Sequence, residues 1–411
     1  MTTAPLAERL VVRSHLVRGG ADLLDLLPSP RGVLSWVCDG EGLVAWGEVA
    51  RVCTGGQGRF AHAEAWWRSF CAQLDTHDEV GLPGSGPVAF ASLAFHDSPG
   101  SSVLVVPRVV VGRRDGLTWV TEFETGAATE RVVPVRRPSG LRYSDGELPV
   151  TAWRDAVARA VSRMRDGQAP AKVVLAHDLL AVADEPLDPR FLLRGLAARY
   201  PSCWAFAVDG LVGATPELLL RRRGTKVLSR VLAGTTWPHD GADTAALAVE
   251  LLGSIKDRDE HCYAVDSLAD ALRPHCTDLV VPAAPTVLPL HNLLHLTTEV
   301  RGVLRSPGTS LLTLAEAVHP TAAVGGTPTA DAVSAIGELE AMDRGRYAGP
   351  VGWVDAAGDG ELGIALRCAQ VGGRAARLFA GCGIVAGSDP DSEVAEAAAK
   401  LVPIRDALEG S

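Results

Sequence analysis

Glu393, Glu396 and Lys400 stand three and four residues apart near the C-terminus, directly after the run Gly381-Cys-Gly-Ile-Val-Ala-Gly-Ser-Asp-Pro390. The run reads as a glycine-rich turn with exposed backbone N–H groups. The spacing that follows puts two carboxylates and an ammonium on one face of a helix. Such a set can hold a hard divalent cation beside an anionic ligand. It is equally the spacing of a solvated helix face with an i,i+4 ion pair, so it decides nothing alone.

Other charges in the second half also sit in unusual settings. Lys172 opens the apolar run KVVLA. Glu217 closes Gly213-Ala-Thr-Pro-Glu217. Asp257 and Glu260 lie one helical turn apart in Lys256-Asp-Arg-Asp-Glu-His261, and Arg367 interrupts Ile364-Ala-Leu-Arg-Cys-Ala369. A lysine can snorkel from a strand end, a Glu after Pro can be a turn residue, and an acidic pair can open a solvated helix. Arg367 is harder to read that way, because a buried guanidinium needs an anionic partner. Phosphate loops and dinucleotide fingerprints are absent: Gly55-Gly-Gln-Gly has no following Lys-Ser/Thr, and no G-x-G-x-x-G follows a strand. Gly381-Cys-Gly lacks the context and the base of a nucleophile elbow. His96-Asp97 reads as a loop.

The elements that must carry these residues are short β-prone runs at Leu34–Cys38, 87–92, Ser102–Val106 and 117–121, with a helix over 61–74. A connector covers 126–150. Beyond it the spacing predicts helices over 151–166, 191–199, 254–272, Leu311–Val318, 331–341 and 391–408. Strands are expected over 172–183, 203–208, Leu218–Arg223, 349–354, 362–371 and 375–380. Strands in runs with helices between them point to an α+β fold.

Composition bounds the rest. The chain has 411 residues, 47% hydrophobic and 21% charged, enough for a sizeable core. A net charge of −10, with Arg221-Arg-Arg223 as the only basic run, argues against nucleic acid. Eight scattered cysteines form no CxxC pair and read as free thiols of a reducing compartment. The start, MTTAPLAERL, is not a signal peptide, and no apolar run spans a membrane, so a cytoplasmic protein is expected.

Nine ordered stretches between about 150 and 410 resemble the chorismate-utilising (anthranilate synthase component I-like) enzymes, and within them the isochorismate synthases. They are KVVLA (172–176), GATPELLL (213–220), LAGT (232–235), KDRDEH (256–261), HLTTEVRG (295–302), HPTAAVGGTP (319–328), ELEAMDRGRYAGPVGWVD (338–355), ALRCA (365–369) and AGCGIVAGSDPDSEVAEAAAK (380–400). The resemblance implies an α+β fold of two large antiparallel sheets flanked by helices in a single catalytic domain. Residues 1–150 would be the variable half of the scaffold and 151–411 the chorismate-binding region. It further implies a Mg²⁺ site with Glu260 and Glu396 as principal ligands, supported by Asp257 and Glu393. Lys172 would be the base that activates water, and Glu217 the acid that protonates the departing hydroxyl. Arg367 and Tyr347 would bind the enolpyruvyl carboxylate. His295, Thr235 and the amides of Gly381 to Gly383 would line the rest. A Glu near acidic neighbours could hold its proton at neutral pH, and a lysine must be neutral to act as base.

Branch points favour water as nucleophile. Lys172 stands where anthranilate synthases carry an amide, and Ala233 where aminodeoxychorismate synthases carry a nucleophilic lysine. No glutamine amidotransferase segment is present, and the family precedent implies a monomer. Isochorismate, feeding menaquinone or siderophore synthesis, is the expected product. Salicylate synthase, which goes on to eliminate pyruvate, and a chorismate-binding protein without turnover are the alternatives. The chain departs from the family pattern at His177-Asp178, at Thr236-Trp-Pro-His-Asp240 and at Cys382.

Overall fold

Many strands of this chain are buried along their whole length. Val88–Ser92, Ser102–Val106, Trp204–Val208, Leu211–Thr215, Pro350–Asp355 and Gly360–Ile364 have no exposed residue. Covered on both faces, they read as continuous apolar runs rather than as alternation. The computed structural model describes residues 10–98, 100–124, 130–236, 243–290 and 293–410. Among these, the strands form one sheet of 13 and another of ten.

The first sheet runs from Arg142–Asp145 through Lys172–Val182, Ala375–Val385, Cys368–Gly372, Leu211–Thr215 and Trp204–Val208. It continues into Leu34–Cys38, Glu41–Trp46, Val109–Arg114, Leu117–Phe123, Leu10–Val17 and Leu74–Asp78. The second runs from Cys276–Val280 through Leu293–Leu304, Lys226–Thr236, Leu218–Arg223, Gly360–Ile364 and Pro350–Asp355 to Val88–Ser92, Ser102–Val106 and Ala50–Thr54. Pairing is antiparallel apart from Leu10–Val17 with Leu74–Asp78. The expected two antiparallel sheets are therefore present, and each draws strands from both halves of the chain. Three hairpins turn on Asp39-Gly40, Asp115-Gly116 and Asp209-Gly210, where every residue has positive φ. That is the backbone twist a two-residue hairpin requires.

Helices cover the sheets with one apolar stripe each. Val150–Arg165 buries Trp153, Ala156, Val157, Ala160 and Val161 at helical spacing. Pro390–Glu409 starts on an Asp389 cap and ends on left-handed Gly410. No described helix is long and apolar enough to cross a membrane.

Several expectations are corrected. The helix expected over 61–74 is Arg59–Cys71, because Leu74 opens a strand. The connector holds the strand Arg142–Asp145, which pairs with residues 179–182. Leu211–Thr215, Lys226–Thr236 and Thr244–Gly253 had no counterpart in the expected elements. The strand expected over 362–371 is two strands, Gly360–Ile364 and Cys368–Gly372, in different sheets. Gly381 to Val385 are not turn but the end of Ala375–Val385. The first nine residues, 125–129 within the connector, and 237–240 within the departure after Thr236 lie outside the described residues.

Candidate active site

Lys172, at the start of its strand, pairs with Thr327 on one side and Val385 on the other. Its ammonium meets Glu260 Oε1 at 2.6 Å. Glu260 lies in the second turn of the helix Ile255–Leu272. The Ser254 hydroxyl caps that helix on the Asp257 amide and donates to the Asp257 carboxylate. Burial alone would raise the Glu260 carboxyl, but Lys172, Lys256 and Lys400 hold it below its usual value. Gly234 has φ +75°, and a Cβ there would lie 3.1 Å from the Asp257 Cβ, so glycine lets the strand approach the helix.

The C-terminal helix supplies the second acidic pair. Lys400 bonds Glu396 at 2.7 Å, the i,i+4 pair of a plain helix face. That face is half-buried, however. Lys400 also donates to the Gly381 carbonyl at 2.8 Å, and the pair lines the cleft. The Glu393 carboxyl is raised, first by burial and then by Glu396. Cys382, with Glu393 and Glu396, makes a compact group of possible metal donors. Its thiol is pushed up to about 12 by burial and donates to the Glu393 carbonyl, so it stays protonated. The four acids offer the oxygen donors that a hard divalent cation takes.

Strand register orients the glycine amides. The N–H groups of Val174 and Ala176 donate to Gly325 and Glu340, away from Ala375–Val385. Their cross-strand partners are Gly383 and Gly381. Opposite residues of an antiparallel pair either bond each other or both point away, so these two glycines also turn their N–H groups away from Lys172–Val182 while Cys382 faces Leu175. A Cβ at Gly381 would lie 2.8 Å from the Tyr347 hydroxyl, and one at Gly383 would lie 2.9 Å from Lys172 Cε.

Glu217 and Arg367 come from the links between the sheets. The Glu217 carboxyl is pushed up to about 8 by burial, against the pull of the Leu232 backbone, Arg367 and Lys172. Burial, rather than the acidic neighbours expected from sequence, keeps its proton. Arg367 has φ +45°, and Ala348, next to Tyr347, has φ +60°. These are the two described non-glycine, non-aspartate residues with positive φ, and both line the cleft. Arg367 Nη2 donates to His295 Nε2 at 3.2 Å. The ring proton therefore sits on Nδ1, 2.9 Å from the Thr235 hydroxyl. Burial, then Arg367, pushes His295 down to about 3, so it is neutral. Among the described residues Arg367 is a half-buried cation whose side-chain hydrogen bond goes to a neutral ring rather than to a carboxylate. Tyr347 stacks on Phe379 at 5.1 Å.

All twelve sequence-predicted residues line this one cleft: Lys172, Glu217, Thr235, Asp257, Glu260, His295, Tyr347, Arg367, Gly381, Gly383, Glu393 and Glu396. Sequence reasoning missed Lys256 and Arg344, which also line it. Both lie inside stretches already singled out, but the helix before Glu340 ends at Leu339, so the Glu340/Arg344 spacing is no helical signal.

Residues 128–409 match the chorismate binding enzyme family. The chain is 41% identical to isochorismate synthase DhbC of Bacillus subtilis over 61% of its own length and 65% of that protein's. It is 33% identical to the salicylate biosynthesis isochorismate synthase of Pseudomonas aeruginosa, over 89% and 82% of the two lengths. The solved structure of MenF, the menaquinone-specific isochorismate synthase of Escherichia coli, superposes with a TM-score of 0.81 at 23% identity. That superposition covers 98% of this chain and 96% of the other.

Proposed function

This chain belongs to the chorismate-binding enzyme family, and we propose that it is a Mg²⁺-dependent isochorismate synthase using Lys172 as base and Glu217 as acid. The relatives named isochorismate synthases support the reaction. The observation that carries the mechanism is a carboxyl with a pKa of about 8 sharing a cleft with a strand-borne lysine. Chorismate must gain a C–O bond to water at one ring carbon and lose a hydroxyl from another. Hydroxide is a poor leaving group, so the departing oxygen needs a proton. Glu217 still holds one at neutral pH and can give it as the bond breaks. Lys172, once deprotonated from the ammonium that Glu260 holds at rest, takes a proton from the entering water, so one water is consumed and one is released.

The charge of the cleft suits this substrate. Asp257, Glu260, Glu393 and Glu396 balance Lys172, Lys256, Lys400 and Arg367, while Arg344 is matched by Glu340 and Glu217 is neutral. Glu260 and Glu396 would hold Mg²⁺, with Asp257 and Glu393 in support. The ion would supply the two positive charges that a substrate with two carboxylates calls for. Arg367 offers its remaining N–H groups to the enolpyruvyl carboxylate, and Tyr347 and the Gly381 and Gly383 amides complete the anion contacts. The Arg367–His295–Thr235 chain keeps the guanidinium in place.

Incubation with chorismate, with and without Mg²⁺, followed by chromatography tests this reading. Isochorismate formed only with the metal is expected. Salicylate with pyruvate would replace it by a salicylate synthase, and no metal-dependent product would replace it by a chorismate-binding protein without turnover. The product would feed menaquinone or siderophore synthesis, in keeping with the isochorismate synthases that the chain resembles.

A further inference from the structure

The strand Lys172–Val182 is paired along one edge by Ala375–Val385 over its whole length. Along the other edge, Gly326–Thr327 covers Lys172 and Val173, and Arg142–Asp145 covers Leu179 to Val182. Among the described residues no strand covers the five positions between. A buried ion pair fills much of that gap. The Ala176 N–H donates to Glu340 Oε1 at 2.5 Å, and the Val174 carbonyl accepts from Arg344 Nη2. Arg344 Nε donates to Glu340 Oε2 at 2.8 Å, and both side chains are 1% exposed. The pair thus presents one acceptor and one donor to the strand edge, as a neighbouring strand would.

Arg344 is not a second anion clamp. Its Nη1 donates to the Val324 carbonyl at 3.2 Å, its other two nitrogens are committed to Glu340 and Val174, and its Cζ lies 4.3 Å from the centre of the Phe95 ring. An apolar pair of the same volume would avoid the desolvation of two charges. It would also leave the Ala176 N–H and the Val174 carbonyl buried without their present partners. The charges are therefore tied to the strand edge, two residues from Lys172.

We propose that Glu340 and Arg344 are positioning residues for Lys172, standing in for an absent strand and setting where the lysine enters the cleft. The proposal rests on the reading of Lys172 as base. Its test pairs hydrogen exchange in residues 172–178 with steady-state kinetics on chorismate and Mg²⁺. The variants are Glu340→Gln and Arg344→Lys, with Lys172→Ala alongside. Exchange in the segment is expected to speed up about tenfold or more. The kcat should fall roughly 10- to 100-fold, with KM changed less than about threefold and the pH profile of kcat displaced, because a misplaced base loses rate rather than binding. Faster exchange with the parent kcat and pH profile would overturn the proposal and leave the pair a merely structural prop. Unchanged exchange would overturn it too. A parental rate in Lys172→Ala would remove the base assignment instead, while exchange still reports whether the pair covers the edge. If Glu340→Gln does not fold, Arg344→Lys, which keeps the charge and one donor, reads the same quantities.

Discussion

Glu217 and Arg367 stand at two adjacent crossings between the sheets. The chain leaves the first sheet at Thr215 and enters the second at Leu218, with Glu217 in the link. It leaves the second at Ile364 and re-enters the first at Cys368, with Arg367 in the link. The two links bond at both ends: the Ile364 amide donates to the Glu217 carbonyl at 3.2 Å, and the Ala214 amide donates to the Arg367 carbonyl at 3.3 Å. The proposed acid and the proposed anion clamp are therefore fixed to one another by backbone. Buried between two sheets, the carboxyl loses water and keeps its proton.

Glu217→Gln should lower kcat about 10²- to 10⁴-fold, the usual worth of general acid catalysis, with substrate binding retained. In the parent, kcat should fall as pH rises through about 8, where Glu217 ionises. Stability follows the same group. The carboxyl is raised in the fold from its ordinary 4.5, so its contribution is fully present below 4.5 and is lost as pH rises towards 8. The unfolding free energy between pH 5 and 8 should decline in the parent, by up to about 1.4 kcal/mol per pH unit from this group, and should be flatter in the variant, as denaturant melts at each pH would read. Equal slopes would contradict the assignment.

Lys172→Ala should abolish turnover while chorismate still binds, because Arg367 and the glycine amides are untouched. Calorimetry on the variant with chorismate and Mg²⁺ measures the second half of that statement. Normal turnover would show the base to be elsewhere.

Arg367→Leu should raise KM roughly 10- to 100-fold, the worth of a charge-assisted pair at about 1.5–3 kcal/mol. The same variant should melt no lower than the parent, because it removes a partly desolvated cation whose side-chain hydrogen bond among the described residues goes to a neutral ring. A loss of stability with KM unchanged would make Arg367 structural.

Removal of divalent metal with a chelator should stop turnover, and Mg²⁺ should restore it. Glu396→Gln should raise the Mg²⁺ concentration for half-maximal rate by about tenfold or more, since it removes one charged oxygen donor. Calorimetric titration of Mg²⁺ into parent and variant checks this without reference to rate.

Much of the site was readable from sequence because its residues travel in ordered stretches, and all twelve meet in one cleft. Local pattern also served where one face or one run decides, as at Leu311–Val318 and Leu34–Cys38. It failed where tertiary structure decides. The apolar run around Arg367 gives no sign that it crosses between sheets at a residue with positive φ. Gly381 and Gly383 look like turn glycines, yet they are strand residues kept small by Tyr347 and Lys172. Arg344 could not be given a role because its acceptor, Val174, is 170 residues away.

The central claim, that water adds under Lys172 while Glu217 discharges the old hydroxyl, is tested most directly by conversion of chorismate in ¹⁸O-enriched water. The account predicts isochorismate carrying one heavy oxygen in its ring hydroxyl, read by mass spectrometry. Unlabelled isochorismate formed at the same rate would mean that the hydroxyl migrates within the substrate, and would contradict it.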